Sequence, residues 1–111
     1  MGKDHETNIH EFKEKIKEFC EARDWDQFHN AKELAIALSI EASELLEHFR
    51  FKSKEEVEAL FKDSKKKEEI EEEMADIMYF LLRLAQKYDI DLSEILEKKI
   101  KNTRAKARGI Q

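Results

Sequence analysis

The sequence has no proline, two glycines and a single valine among its 111 residues. Turn formers and strand formers are therefore both scarce, which excludes an all-β fold and argues against a mixed sheet. One cysteine, Cys20, excludes an internal disulfide and any cysteine-based zinc site. No apolar run approaches the ~20 residues of a membrane span. The first residues, MGKDHETN, lack the apolar stretch of a signal peptide, so the cytoplasm is the expected location. There is no basic excess either: an isoelectric point near 5.5 argues against general nucleic-acid binding.

What the chain does have is charge of both signs, 42% of its residues, with 26 acids nearly balanced by 21 bases. Leu, Ile, Val and Phe still number 28 of 111, a share above that of disordered chains. The length suits one domain, residues 1–111, and is too short for two independent cores.

Hydrophobic spacing predicts an all-α fold, a bundle of about five helices. Asn8 with Glu11 is a helix-opening pair, followed by Ile9, Phe12, Ile16, Phe19 and Cys20 at helical spacing. Residues 23–30 (RDWDQFHN) break the pattern and read as an aromatic-rich connecting loop. A second helix is expected over 31–50, and a short third one opens at Ser53/Glu56 and runs to Phe61. Ser64 begins a long fourth helix to about Tyr88, and Asp91/Glu94 open a last one to about Ala105.

With nineteen glutamates, a Glu-x-x-Glu spacing carries no information alone, and most such pairs lie among charged neighbours. Position relative to the apolar stripe is what discriminates. On the second helix Leu34, Leu38, Ala42, Leu45 and Phe49 form a stripe that contains Glu41, with Glu44 on its flank. Ile36 and Ile40 make its opposite side apolar too. On the fourth helix the expected stripe is Ile70, Met74, Ile77, Leu81, Leu84, Ala85 and Tyr88. Glu73 lies at its edge, and Asp76 and Phe80 follow along that flank. Arg83 and Lys87 are expected to face elsewhere.

Each long helix thus directs two acids, three residues apart, toward an apolar seam. Clustered carboxylates without a basic partner repel one another and resist burial, and a cation is the simplest remedy. Oxygen ligands without His or Cys suit a hard ion, Mg²⁺ with Mn²⁺ as a substitute. A di-iron bundle would need Glu-x-x-His on two helices, and none is present. An acidic but metal-free bundle is the competing reading.

The segments Glu41-Ala-Ser-Glu44 and, 28 residues on, Glu73-Met-Ala-Asp76 resemble the metal-binding signature of MazG-like nucleotide pyrophosphohydrolases. The longer runs RDWDQFHNAKELAIALSIEASELLEHFRF and EEEMADIMYFLLRLA are similar to the branch containing dCTP pyrophosphatase, over about residues 9–106. The resemblance implies an all-α fold whose active site is formed by paired helices from two or more subunits, and the apolar Ile36 and Ile40 side of the second helix predicts a homodimer or homotetramer. It implies hydrolysis of a nucleoside triphosphate to monophosphate and pyrophosphate, with Glu41, Glu44, Glu73 and Asp76 holding Mg²⁺ and forming the catalytic set. It also assigns Trp25 to base stacking, Phe51 and Phe80 to the base pocket, and Lys98 and Asn102, with Arg104 just beyond, to the phosphates. Phe51 stands where dCTP-type relatives have tryptophan, Phe80 where they have tyrosine, and Ile16 where eukaryotic relatives have histidine. Phenylalanine stacks on a base but forms no hydrogen bond to it.

Plainer roles compete at several positions: a surface lysine for Lys98, a loop anchor for Trp25, a core residue for Phe28, a loop hydrogen-bonder for His29. At the level of function two readings follow. One is a Mg²⁺-dependent pyrophosphatase of nucleotide-pool housecleaning, with dCTP or a modified dCTP as leading substrate, no nucleic-acid partner and no membrane. The alternative is a non-enzymatic helical oligomer serving interaction or regulation.

Overall fold

The computed structural model describes residues 2–106. Among them the elements are all helical: α1 (Ile9–Ala22), α2 (Ala31–Glu47), α3 (Lys54–Leu60), α4 (Ser64–Lys87) and α5 (Leu92–Lys106), with 3₁₀ turns at Lys3–His5 and Asp26–Phe28. The all-α expectation holds. The segment expected to be plain loop carries the second of these turns, and α2 ends at Glu47, three residues early.

Side chains set the helix starts. Asn8, Asn30, Ser53, Asp63 and Asp91 each accept a hydrogen bond from a backbone amide of the first turn, which satisfies an otherwise orphaned donor. At Ser53 the box is complete, because Glu56 also accepts from the Ser53 amide. With so few glycines, aspartates serve as the left-handed residues that end helices. Asp24 follows α1 at φ 57° and Asp89 follows α4 at φ 54°.

The substantial helix packings are α2 on α4 and α1 on α4. The start of α2 is pinned to the end of α4, which makes the two antiparallel. The α1 contact is fixed by the Cys20 thiol and Tyr79 hydroxyl, 3.1 Å apart, with Phe19 edge-on to Tyr79. Burial pushes the Tyr79 phenol well above its ordinary range.

On α4 the covered row runs Ile70, Glu73, Ile77, Phe80 and Leu84. The expected stripe holds at Ile70, Ile77, Leu84 and Ala85 and is corrected at Met74, Leu81 and Tyr88, which are exposed. Met74 and Leu81 are 55% and 40% exposed, so Glu73 stands in the seam and not at its edge. Helical spacing finds an apolar face, but α4 has two: α2 covers one, and the chain covers the other only in part, burying Leu82 and Ala85 while Met74, Met78 and Leu81 stay exposed. Phe28 also departs from expectation: it is 63% exposed, because the 3₁₀ turn directs it outward.

Candidate functional site

Antiparallel α2 and α4 bring Glu41, Glu73 and Asp76 together, one carboxylate oxygen from each lying within 4.8 Å of the others. Glu44, one turn on from Glu41, lies close enough for its carboxyl to raise the Glu73 pKa. Leu38 and Leu45, one turn to either side of Glu41, are half-buried and hold that side chain in the seam. The Glu41 Oε1 atom has less than 1 Å² of accessible surface and no hydrogen-bond partner.

That atom decides between ligand and ion-pair roles. A buried acceptor without a partner costs free energy of ~1–3 kcal/mol, more when charged. None of the four acids takes part in a salt bridge among the described residues. Burial, then the charges of Glu44, Asp76 and Glu73, push the Glu41 pKa up to about 7. Burial and the Glu44 carboxyl raise Glu73 as well, with the nearby His48 acting in the opposite sense. A hard divalent cation answers all of these features: it supplies the missing partner, offsets the repulsion and prefers carboxylate oxygens. The donor set fits Mg²⁺.

The remaining sequence-predicted residues are more dispersed. Trp25 is 38% exposed and meets Phe19 and His29 edge-on, at 5.6 and 6.4 Å between ring centroids. Phe80 is half-buried next to Tyr79. Phe51 is 92% exposed and holds φ 63°, with Arg50 over its ring. A bulky residue in the left-handed region is strained, and strain of this kind concentrates at functional sites. Lys98, Asn102 and Arg104 lie exposed on α5, with no hydrogen bond to the four acids among the described residues. The single chain does not bring them to the carboxylates.

Two residues went unassigned in the sequence. His48 reaches the Glu73 environment, a consequence of its place one turn beyond Glu44. Arg83, expected to face elsewhere, is 1% exposed and committed to the Asp26–His29 turn. The helical wheel places Asp76, Phe80 and Arg83 on one flank, so the position was legible, but the partner was not.

The MazG-like family matches residues 36–111, which contain both acid pairs. The chain belongs to that family. Beyond the family pattern, the chain is 31% identical over 99 residues to mouse dCTP pyrophosphatase 1, which takes in 89% of this chain and 58% of the relative. The human dCTP pyrophosphatase 1 is 31% identical over 87 residues, 78% of this chain and 51% of the relative. The chain thus spans little more than half the length of these curated relatives. A crystal structure of a pyrophosphatase from Archaeoglobus fulgidus superposes with a TM-score of 0.81 at 34% identity, covering 94% of this chain and 96% of that one. The fold shared with that pyrophosphatase extends over almost the whole chain.

Proposed function

We propose that this MazG-like chain, residues 1–111 read as one domain, is the subunit of a Mg²⁺-dependent nucleoside triphosphate pyrophosphatase. The reaction yields a monophosphate and pyrophosphate, with dCTP or a modified dCTP as leading substrate and housecleaning of the cytoplasmic nucleotide pool as its purpose. The observation that carries this reading is the sealed, partnerless Oε1 of Glu41, on a carboxylate that clusters with those of Glu73 and Asp76. A non-catalytic helical module offers no reason to bury it.

Glu41, Glu44, Glu73 and Asp76 are the residues that would hold the metal. Mg²⁺, when bound, neutralises the triphosphate and acidifies the attacking water. In the metal-free site, burial and the neighbouring acids push the Glu41 pKa up to about 7, so binding of the cation would displace a proton there. Trp25, Phe80 and Phe51 offer aromatic faces for a base. Lys98, Asn102 and Arg104 supply donors suited to phosphate oxygens.

The site is completed, in this reading, by a second copy of the chain as homodimer or homotetramer. The chain exposes 8976 Å², against ~6,400 Å² for a compact monomer of its mass. Its radius of gyration is 16.8 Å, where ~13 Å is usual for this length. Ile36 and Ile40 on α2 are 43% and 50% exposed, and an apolar cleft between α1, α4 and α5 is lined by Ile9, Met78, Leu81 and Ile95. Surface of this kind is what an obligate interface covers.

The deciding experiment is a nucleotide panel with Mg²⁺, resolving monophosphate plus pyrophosphate from diphosphate plus phosphate. Monophosphate and pyrophosphate in equal amounts are expected, with dCTP among the best substrates. Absence of turnover across the panel overturns the proposal.

A further inference from the structure

Arg83 is the most deeply buried charged residue among those described, and nothing in the metal-site chemistry uses it. Its Nε donates to His29 Nδ1 at 3.0 Å, one terminal nitrogen donates to Asp26 Oδ1 at 2.8 Å, and the other donates to Gln86 Oε1. Lys87 adds a second donor to the Asp26 carboxylate and one to its carbonyl. Both Asp26 and His29 belong to the short turn that begins at Trp25 and ends at α2. The Trp25 ring in turn lies edge-on to His29. A continuous run of contacts therefore leads from α4 through Arg83 and His29 to Trp25.

The same helix carries the metal-site acids. Asp76 precedes Arg83 by seven residues, close to two full turns, so both lie on one flank about 10 Å apart along the axis. That distance is on the scale of a nucleotide laid out from its phosphates to its base. Arg83 itself is sealed from solvent, and its guanidinium is already engaged on three sides. Direct contact with substrate is excluded by that burial.

We propose that Arg83 is a positioning residue for substrate selection: by clamping the Asp26–His29 turn to α4, it sets where Trp25 stands relative to Glu73 and Asp76. The proposal rests on the reading of Trp25 as the base-stacking residue. The clamp acts on recognition of the base and leaves the phosphate end untouched. Burial and the charges of Arg83 and Lys87 hold the His29 pKa below its ordinary value, consistent with Nδ1 acting as an acceptor. The Asp26 carboxylate is held low by Lys87 and Arg83, so the clamp stays charged at neutral pH.

The test compares dCTP with inorganic triphosphate, which has phosphates and no base, on full-length wild type, Arg83→Met, Trp25→Ala and the double variant. Met fills much of the Arg83 volume but donates no hydrogen bond. The expected result for Arg83→Met is a KM for dCTP raised ~10-fold or more with kcat within ~3-fold, and inhibition by inorganic triphosphate within ~2-fold of wild type. The double variant should lose no more than Trp25→Ala alone. Trp25 is the sole tryptophan, so its emission reports the turn directly and should shift to the red in Arg83→Met. Should Arg83→Met fail to fold, Asp26→Asn on the exposed side of the clamp takes its place, with the same pattern at ~3-fold or more. An unchanged KM for dCTP, or an equal loss for dCTP and inorganic triphosphate, overturns the clamp while leaving the pyrophosphatase reading intact. A wild-type chain that turns over no triphosphate removes that reading and the role of Arg83 with it. A Trp25→Ala variant with unaltered KM does the same for base stacking.

Discussion

The hydroxyl of Tyr88, the residue that ends α4, accepts a hydrogen bond from the amide of Ala31, the first residue of α2, at 2.9 Å. From this pin Glu41 lies ten residues along α2, about 15 Å, and Asp76 twelve residues back along α4, about 18 Å. One hydrogen bond at the far end of the seam thus helps hold the register in which the carboxylates meet. Tyr88→Phe should lower unfolding free energy by about 0.5–1 kcal/mol, the net value of a partly exposed hydrogen bond. Urea denaturation at fixed protein concentration checks this, and an unchanged midpoint refutes the pin.

Glu41, Glu44, Glu73 and Asp76 changed singly to Gln or Asn keep their shape and lose a ligand charge. Hydrolysis should fall by at least ~100-fold in each, the usual scale of losing a catalytic group. The metal-free fold should be unharmed or steadier, because one of four repelling charges is gone. An ion-pair role predicts the reverse, since breaking a buried pair costs ~3–5 kcal/mol. Glu14→Gln and Glu58→Gln, on exposed helix faces, are the controls and should retain full activity and stability.

The raised Glu41 pKa carries a sign that can be measured. Its folded value of about 7 lies above the ordinary 4.5, so the folded chain binds this proton more tightly than the unfolded chain does. The stabilising contribution is complete below pH 4.5 and is lost as pH rises through 7. Metal-free protein should therefore lose stability from this group across that window, and Glu41→Gln should flatten the dependence. Mg²⁺ competes with the same proton, so its affinity should weaken as pH falls below about 7. Thermal melts in chelator and Mg²⁺ titrations by calorimetry read the two halves separately.

Mg²⁺ with a non-hydrolysable triphosphate should raise the unfolding temperature. Ligand at ~100 times its dissociation constant adds ~2.7 kcal/mol to the native state. No shift in the melt, together with no Mg²⁺ heat in calorimetry, removes the metal site.

The exposed face of α2 predicts association. Light scattering at micromolar concentration should give at least twice the 13.2 kDa chain mass. Ile36→Glu combined with Ile40→Glu should reduce the assembly toward the single chain and lower its melting temperature. A stable wild-type monomer contradicts the assembled site.

The features legible in the sequence are those decided within one turn of helix. Asn8, Ser53 and Asp91 cap their helices through side chain to backbone bonds that span three residues, so local spacing is sufficient. Glu41 was legible for the same reason: Leu38 and Leu45 place it in a stripe whatever lies opposite. Glu73 and Met74 exchanged roles because the side of α4 that meets α2 depends on the path of the chain between them. Phe28 and Arg83 belong to the same class. Their surroundings are set by the 3₁₀ turn at Asp26–Phe28, and no periodicity announces which way such a turn faces.

Asp76, Phe80 and Arg83 make one flank of α4 into a ruler. Inserting or deleting one residue between Asp76 and Arg83 rotates everything beyond it by about 100° and shifts it by about 1.5 Å. The guanidinium would leave the Asp26 turn, and Phe80 or Asp76 would leave the seam, depending on where the change fell. Even a seven-residue insertion, which nearly restores the rotation, would part the two ends by a further ~10 Å. The middle of α4 is therefore a stretch of fixed length, and changes in chain length should be tolerated only in segments such as 48–53 and 61–63, where no helix phase is carried across.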